Sequence, residues 1–243
     1  MLKEITFKNY KAFREKQTLE LKPLTILIGK NSSGKSAIAK LPTLIEGSLS
    51  GHFSQPLKIN NNGIELGGNF RDLVYNHGIT LEFGLKDQNE HLLVSVASGL
   101  RPADLPKVNS WELNSLDFEA SIKKVKGDDF EGFLDSPSSI KSLSLYTDYI
   151  GPFRALPERN YPSPSSILKK VGINGEDAYS ILIQDSISTE QRLLKNVNNW
   201  YQENFEGWGI TVEADGSQYA IKLVRDGLKV NIKDVGQGMS QAL

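Results

Sequence analysis

The 243-residue chain has no cysteine, only three histidines and two methionines, and no uncharged apolar run longer than Leu24–Gly29. Without cysteine there can be no disulfide scaffold, Cys-ligated zinc, iron–sulfur cluster or thiol nucleophile, and the composition suits a reducing compartment. The apolar run falls far short of the ~20 residues that cross a bilayer. Met1–Tyr10 alternates charged and apolar residues without the apolar core of a secretory signal, so the sequence reads as cytoplasmic with no membrane partner. Charge of one sign is lacking too, because 28 Lys+Arg offset 29 Asp+Glu to a net −1. Nucleic-acid binding would therefore need a local patch. What is present, 39% hydrophobic and 23% charged residues, is ordinary for one or two globular domains. A chain of this size buries roughly 70–75% of its unfolded surface and needs no staple.

Alternation of Ile5, Phe7 and Asn9 with Thr6, Lys8 and Tyr10, repeated over Thr18–Leu21, predicts two strands at the start. Leu24–Ile28 is a short β-rich run of the kind buried on both faces of a sheet. Helix is expected from Ala37 to Leu41, disturbed at Pro42. Residues 47–71 read as a projecting loop rich in Gly and Asn, with turns at Asn60–Gly63 and Leu66–Asn69. Thr80–Leu85 and His91–Ala97 read as a strand pair across the polar turn Lys86–Glu90, and Phe118–Val125 could extend it. Leu143–Ile150 reads as a further strand.

Helical periodicity returns over Gly175–Asp185 and Ser188–Phe205, the second with Ser188 as candidate N-cap and a stripe of Leu193, Leu194, Val197, Trp200 and Tyr201. Trp200 and Trp208 are expected in the core. Ile210–Ala214, Tyr219–Arg225 and Leu228–Asn231 form a meander with turns at Asp215-Gly216 and Asp226-Gly227. His52, His77 and His91 sit in loop-like contexts and read as surface residues. The basic clusters Lys123-Lys124-x-Lys126 and Lys169-Lys170 read as solvated faces, so DNA is a weakly supported, salt-sensitive partner.

One pattern carries chemistry. Gly29-Lys30-Asn31-Ser32-Ser33-Gly34-Lys35-Ser36 fits the P-loop spacing between a predicted strand and a predicted helix. Its glycines let backbone N–H groups turn inward as an anion nest, to which the helix N-terminus adds positive potential. Lys35 would reach the β/γ-phosphates, the candidate catalytic role, and the Ser36 hydroxyl would ligate Mg²⁺. ATP and Mg²⁺ are the implied cofactors, with Lys30, Asn31, Ser32, Ser33 and Ala37 completing the cradle. Near the other end, Lys233-Asp234-Val235-Gly236-Gln237-Gly238-Met239-Ser240-Gln241 follows a strand. Gly236 and Gly238 could expose N–H groups at a helix start as a second anion site, or could simply make a tight turn.

Phe7-Lys8-Asn9-Tyr10-Lys11, the P-loop and the terminal Asp-Val-Gly-Gln-Gly-Met-Ser-Gln together resemble the ATP-binding heads of ABC-type, RecF/SMC-like ATPases. More narrowly, Leu66–Val74, Tyr149–Arg154, Val171–Glu176 and Val230–Gln241 are similar to stretches of the bacterial group that includes OLD-family nucleases and the ATPase of the Septu antiphage system. The resemblance implies an α/β P-loop NTPase fold, ABC-ATPase-head-like, with a mixed sheet, an N-terminal antiparallel β subdomain and a helical insertion. Residues 1–243 would form a single head, with 47–140 a family-specific β insertion. It implies that two heads pair head-to-tail around two ATP molecules, as a homodimer or higher oligomer. Asn31 would contact the γ-phosphate, Lys11 would be a basic neighbour of the nucleotide, and Gly236, Gly238, Ser240 and Gln241 would close on the partner's ATP.

Heads of this kind continue into an apolar strand ending in Asp and a catalytic Glu, then a switch His, and no such run is found here. Asp128-Asp129 and Asp148 lack that context. The expectation is a head incomplete at its C-terminal side, which binds nucleotide and hydrolyses it poorly alone. DNA maintenance or phage defence with a nuclease effector is the implied setting. The alternative is a nucleotide-sensing oligomerisation module without turnover. A small-molecule kinase, with Arg154 and Arg159 as lid arginines, leaves the terminal motif without a role.

Overall fold

The computed structural model describes residues 2–49, 56–101, 104–115, 121–124, 143 and 145–243. They divide into two compact units, Met1–Thr147 and Asp148–Leu243. In the first, β1 (Glu4–Lys8) and β2 (Gln17–Glu20) precede α1 (Lys35–Leu49) and a hairpin of β3 (Asn60–Asn61) and β4 (Ile64–Glu65). Then come β5 (Thr80–Lys86), β6 (Glu90–Ala97), β7 (Lys107–Ser115) and β8 (Ser121–Lys124). The six long strands form one sheet in the order β2-β1-β5-β6-β7-β8, all antiparallel.

Period-2 alternation sorts this sheet's faces. Phe7, Phe83, Val94 and Trp111 stand opposite one another across four strands and are buried, whereas the next row, Lys8, Glu82, Ser95 and Ser110, is half-buried and polar. Leu41, Leu44 and Ile45 of α1, all fully buried, join the apolar row in one core. Each such side chain contributes about 1.5–3 kcal/mol when fully buried. That explains why α1 runs through Pro42 to Leu49 instead of breaking there: Pro42 costs one helical hydrogen bond, and buried contacts on both sides of it outweigh that loss. Gly47 lies inside the helix because Asn61 crosses it: a Cβ there would stand 2.8 Å from Asn61 Cγ, and Asn61 Nδ2 donates to the Thr43 carbonyl at 3.0 Å. The described part of the segment expected to project, residues 56–71, is packed down, with Leu57, Ile64, Leu66 and Phe70 buried.

Two expected strands are not formed among the described residues. Leu24–Ile28 has no ladder partner among the described residues, and Leu24, Ile26 and Ile28 are 77%, 70% and 91% exposed. A strand buried on both faces needs neighbours at both edges and a layer on each side, and the chain leaving β2 meets neither. Around 143–150, Leu143 is buried and exposure alternates from residue 145 onward, again without a ladder among the described residues. Every ladder among them is antiparallel, so the mixed sheet is replaced by antiparallel sheets with helices. Lys126, Asp128-Asp129 and His52 lie outside the described residues.

The second unit holds β9 (Tyr161–Pro162), α2 (Ala178–Ile187), α3 (Arg192–Asn204), β10 (Gly209–Asp215), β11 (Gln218–Arg225), β12 (Leu228–Asn231) and α4 (Gln237–Ser240). The meander β10-β11-β12 forms as read, with β9 added to β11. Asp226 and Gly227 both have positive φ (49° and 80°), the type I′ turn that suits strand twist. Tyr179, Leu182 and Ile183 of α2 and Tyr201 of α3 pack on Ile210, Ile221 and Leu223. α3 begins at Arg192, not at Ser188. Asp185 of α2 supplies its cap, Oδ2 accepting from Leu194 N–H at 2.8 Å, while Ser188 Oγ donates to the Asp185 carbonyl at 2.7 Å. Trp200 is 46% exposed, its ring edge-on to Tyr201 and Phe205, so it belongs to the margin of the core; Trp208 is partly buried there.

Candidate phosphate-binding site

The loop 29–36 is braced by the turn that joins β1 to β2. There Tyr10 N–H donates to the Phe13 carbonyl at 2.9 Å, Asn9 N–H to the Arg14 carbonyl at 3.2 Å, and Lys11 N–H to the Leu73 carbonyl at 2.7 Å. Asn9 and Lys11 take left-handed φ of 55° and 51° to make the turn this tight. Tyr10 is fully buried, edge-on to Phe7 and Phe83, and its hydroxyl donates to the Ala37 carbonyl at 3.1 Å. Burial pushes that phenol far above its ordinary pKa, so it remains a donor. Phe13 packs edge-on to Phe7 and presents its ring to Gly34.

Gly34 is the residue the loop cannot change. Its φ is +93°, and a Cβ there would lie 2.7 Å from two carbons of the Phe13 ring. Ser32 also takes positive φ, 61°, and Ser33 N–H closes on the Lys30 carbonyl at 3.3 Å. Lys35 Nζ donates to the carbonyls of Gly29 at 2.7 Å and Lys30 at 2.6 Å, so the loop wraps its own cation. In α1 the Ile38 N–H bonds Gly34 O at 3.0 Å, while the N–H groups of Lys35, Ser36 and Ala37 fall in the first turn, where a helix offers no internal acceptor. Those amides, the helix dipole and the Lys35 ammonium converge on one exposed loop, which is chemistry suited to a phosphate chain. Asn31, Ser32, Ser33 and Ser36 are exposed, leaving their polar groups at the surface of the loop.

Lys11 sits beside this loop through the turn, but its ammonium bonds the Leu66 carbonyl at 2.5 Å. Partial burial lowers its pKa, Asp72 opposes the shift and Lys40 adds to it. His77 is exposed, 3.8 Å from Asp72, as expected. His91 differs from its surface reading: it lies half-buried in β6, where desolvation and then Lys86 and Lys16 lower its pKa. Among the described residues no group of three or more His, Asp or Glu side chains could hold a metal ion, and no helix is long and apolar enough to cross a membrane.

The terminal motif is built in the second unit. Gly236 caps α4, and nothing lies within 4 Å of a Cβ at Gly236 or Gly238; neither carries positive φ. The fold of the unit therefore does not require glycine at either position. Tyr201 Oη donates to the Met239 carbonyl at 2.7 Å and Tyr179 Oη to the Ser240 carbonyl at 3.3 Å, two anchors that fix α4 on α2 and α3. Ser240 is buried, with its hydroxyl 3.3 Å from the Gln237 carbonyl, whereas Gly236, Gly238 and Gln241 are exposed. Of the aromatic residues that position both loops, Tyr10 stands in the Phe7–Lys11 stretch and Tyr201 in the helical stripe, whereas Phe13 and Tyr179 are picked out by no motif.

No curated protein matches the chain. The family model for the AAA ATPase domain matches residues 1–126, just over half of the chain, and that stretch contains both the bracing turn and the whole of 29–36. The chain therefore belongs to the AAA ATPase domain family, a class of ATP-binding ATPases.

Proposed function

We propose that the protein is the ATP-binding head of an ABC-type, RecF/SMC-like ATPase of the OLD/Septu group, in which ATP drives two copies together. The observation that carries this reading is the 29–36 loop, with Lys35 Nζ on the Gly29 and Lys30 carbonyls and Gly34 held at positive φ against Phe13. Lys35 moves from those carbonyls to the β/γ-phosphates, the Ser36 hydroxyl takes Mg²⁺, Asn31 meets the γ-phosphate, and the amides of Gly34 to Ala37 bind phosphate oxygens. Lys11 adds positive potential from the neighbouring turn.

Gly236 and Gly238 support the second half of the reading. Glycine that the unit's own packing does not demand suits close backbone approach by something outside it, here the nucleotide held by a second copy, with Ser240 and Gln241 beside it. ATP then acts as a ligand that favours the dimer, and hydrolysis releases it. DNA and a nuclease effector are the partners this grouping implies, in DNA maintenance or phage defence.

Sedimentation of the wild-type chain with and without Mg-ATP tests the proposal. A rise to dimer mass with ATP is expected, and Gly238→Asp, which enters open space, should bind ATP yet stay monomeric. A wild-type mass unchanged by saturating ATP would contradict it.

A further inference from the structure

In the first unit a cavity of about 280 Å³ opens between the 3₁₀ turn Phe70–Asp72 and the connection from β6 to β7. Asn69, Arg71, Ser98 and Asp104 give it polar walls, and Ile59 and Leu105 apolar ones. Arg71 Nη2 donates to the carbonyls of Gly99 at 3.0 Å and Leu100 at 2.6 Å, which fixes the guanidinium across the connection. Ser98 N–H donates to the Ile79 carbonyl at 2.9 Å. Its side chain is different: the residue is 9% exposed, and the buried hydroxyl has no hydrogen-bond partner among the described residues. Folded proteins leave few buried hydroxyls unpaired, because each costs free energy. On the wall of a cavity, a polar ligand would supply the missing partner.

The other uncommitted polar groups are donors. A guanidinium carries five N–H groups, of which Nη2 has two, and Arg71 has no ion-pair partner among the described residues. Asn69 Oδ1 accepts from Asp72 N–H at 3.2 Å, which leaves the amide NH₂ as a donor. The carboxylates here have partners of their own. Asp104 Oδ2 accepts from Arg101 N–H at 3.0 Å, and Oδ1 from Arg101 Nε at 3.1 Å. Asp72 Oδ2, beside Gly68, accepts from Asn69 N–H at 3.0 Å, and Lys11 is its neighbouring cation. Arg71 is the charge left over, so the cavity complements an anion.

Apolar surface narrows the kind of anion. Leu105 is 63% exposed, and Leu100, whose carbonyl Arg71 holds, is 79% exposed. A phosphate would bring a second negative charge and nothing for these side chains to cover. A carboxylate offers the guanidinium fork a planar pair of acceptors and carries an apolar chain with it. The volume lies just under the ~300 Å³ at which drug-sized pockets begin, which suits one small acid or one terminal residue and excludes a longer peptide.

We propose that Arg71, Ser98 and Asn69 form a binding site for a monocarboxylate with an apolar body, separate from the 29–36 loop and independent of nucleotide. Arg71 pairs with the carboxylate, the Ser98 hydroxyl donates to it, the Asn69 amide closes from the rim, and Ile59 and Leu105 cover the apolar part. The carboxylate belongs either to a free small acid or to the last residue of a partner chain.

NMR titration with N-acetyl-leucine and with isocaproate, the same acid without its amide, tests the site. N-acetyl-leucinamide, which keeps the apolar body and loses the charge, should bind at least about tenfold more weakly than N-acetyl-leucine, as loss of charged hydrogen bonds implies. Ser98→Ala is the sharpest variant, because its hydroxyl has no partner to lose. It should melt at the wild-type temperature or above it, yet bind the acid about tenfold more weakly. Arg71→Gln should lose at least as much affinity, with a thermal melt to register the carbonyl bonds it also gives up. Lys35→Ala should bind the acid as wild type does, so failure of the nucleotide reading leaves this test intact. Tighter binding of N-acetyl-leucine than of isocaproate identifies a chain end, whose amide adds a bond, and the reverse order identifies a free acid. Binding of neither acid to the wild-type chain, equal binding of N-acetyl-leucine and its amide, or full affinity in Ser98→Ala overturns the inference.

Discussion

Gly34→Ala is the substitution whose effect the structure specifies most fully. At φ +93° a side chain costs on the order of 1–3 kcal/mol of backbone strain. The new Cβ would also meet the Phe13 ring at 2.7 Å. Phe13 cannot swing away freely, since it packs edge-on at 5.3 Å against Phe7, itself 2% exposed. The exposed loop must give instead, and it leaves the core intact when it does. Unfolding stability should therefore change little, while the loss falls on nucleotide binding. At 1.4 kcal/mol per tenfold, strain alone raises the Kd for Mg-ATP by roughly 5–150-fold.

A double-mutant cycle separates the two causes. Phe13→Ala removes the overlap but not the φ requirement, so Gly34→Ala/Phe13→Ala should lose less affinity than the sum of the single changes. Calorimetric Kd with a thermal melt for each variant reads both quantities. Unchanged affinity in Gly34→Ala, or a melting loss as large as that of a core truncation such as Leu44→Ala, would refute the reasoning.

Three further outcomes are expected. Ile28→Ser should change stability by no more than about 0.5 kcal/mol, whereas Leu44→Ala should cost about 2–5 kcal/mol, because the first side chain is 91% exposed and the second fully buried; denaturant melts compare them. Tyr201→Phe removes the bond to the Met239 carbonyl, costs about 0.5–1.5 kcal/mol, and should raise amide hydrogen exchange over 237–241. Glu213 accepts hydrogen bonds from Lys222 and Lys229, which together hold its pKa at about 2. Because the folded value lies below the ordinary one of 4.5, the contribution is complete above pH 4.5 and is lost as pH falls from there through about 2. The three side chains are partly exposed to water, so salt should weaken the effect; a carboxyl NMR titration of wild type and Lys222→Met measures the shift, which should relax toward the ordinary value in the variant.

Where local pattern and tertiary context agree, the sequence is readable. Phe7 alternates with Thr6 and Lys8, and the β-rich runs holding Phe83 and Val94 flank a polar turn, so β1, β5 and β6 are legible, and Asp226-Gly227 announces its hairpin. β7 escapes because a bulge opposite Ser95/Val96 breaks the alternation among Val108, Trp111 and Leu113, and its polar Asn and Ser residues resemble loop. Leu24–Ile28 is misread for the opposite reason: its composition is that of a buried strand, but burial requires partners that no local pattern encodes. Pro42 and Gly47 look like stops, yet packing of Leu41, Leu44 and Ile45 overrides them. The 29–36 pattern stands out in the sequence because it is defined by spacing alone. Its brace does not, since nothing in the spacing predicts that Phe13 will meet Gly34.

The most direct measurement is calorimetric titration of Mg-ATP into the wild-type chain and Lys35→Ala. Lys35 Nζ touches only two carbonyls of its own exposed loop, so the variant should melt as wild type does. One ATP per wild-type chain and none detectable in the folded Lys35→Ala variant is the result this account predicts. Equal ATP binding by the two proteins would contradict it.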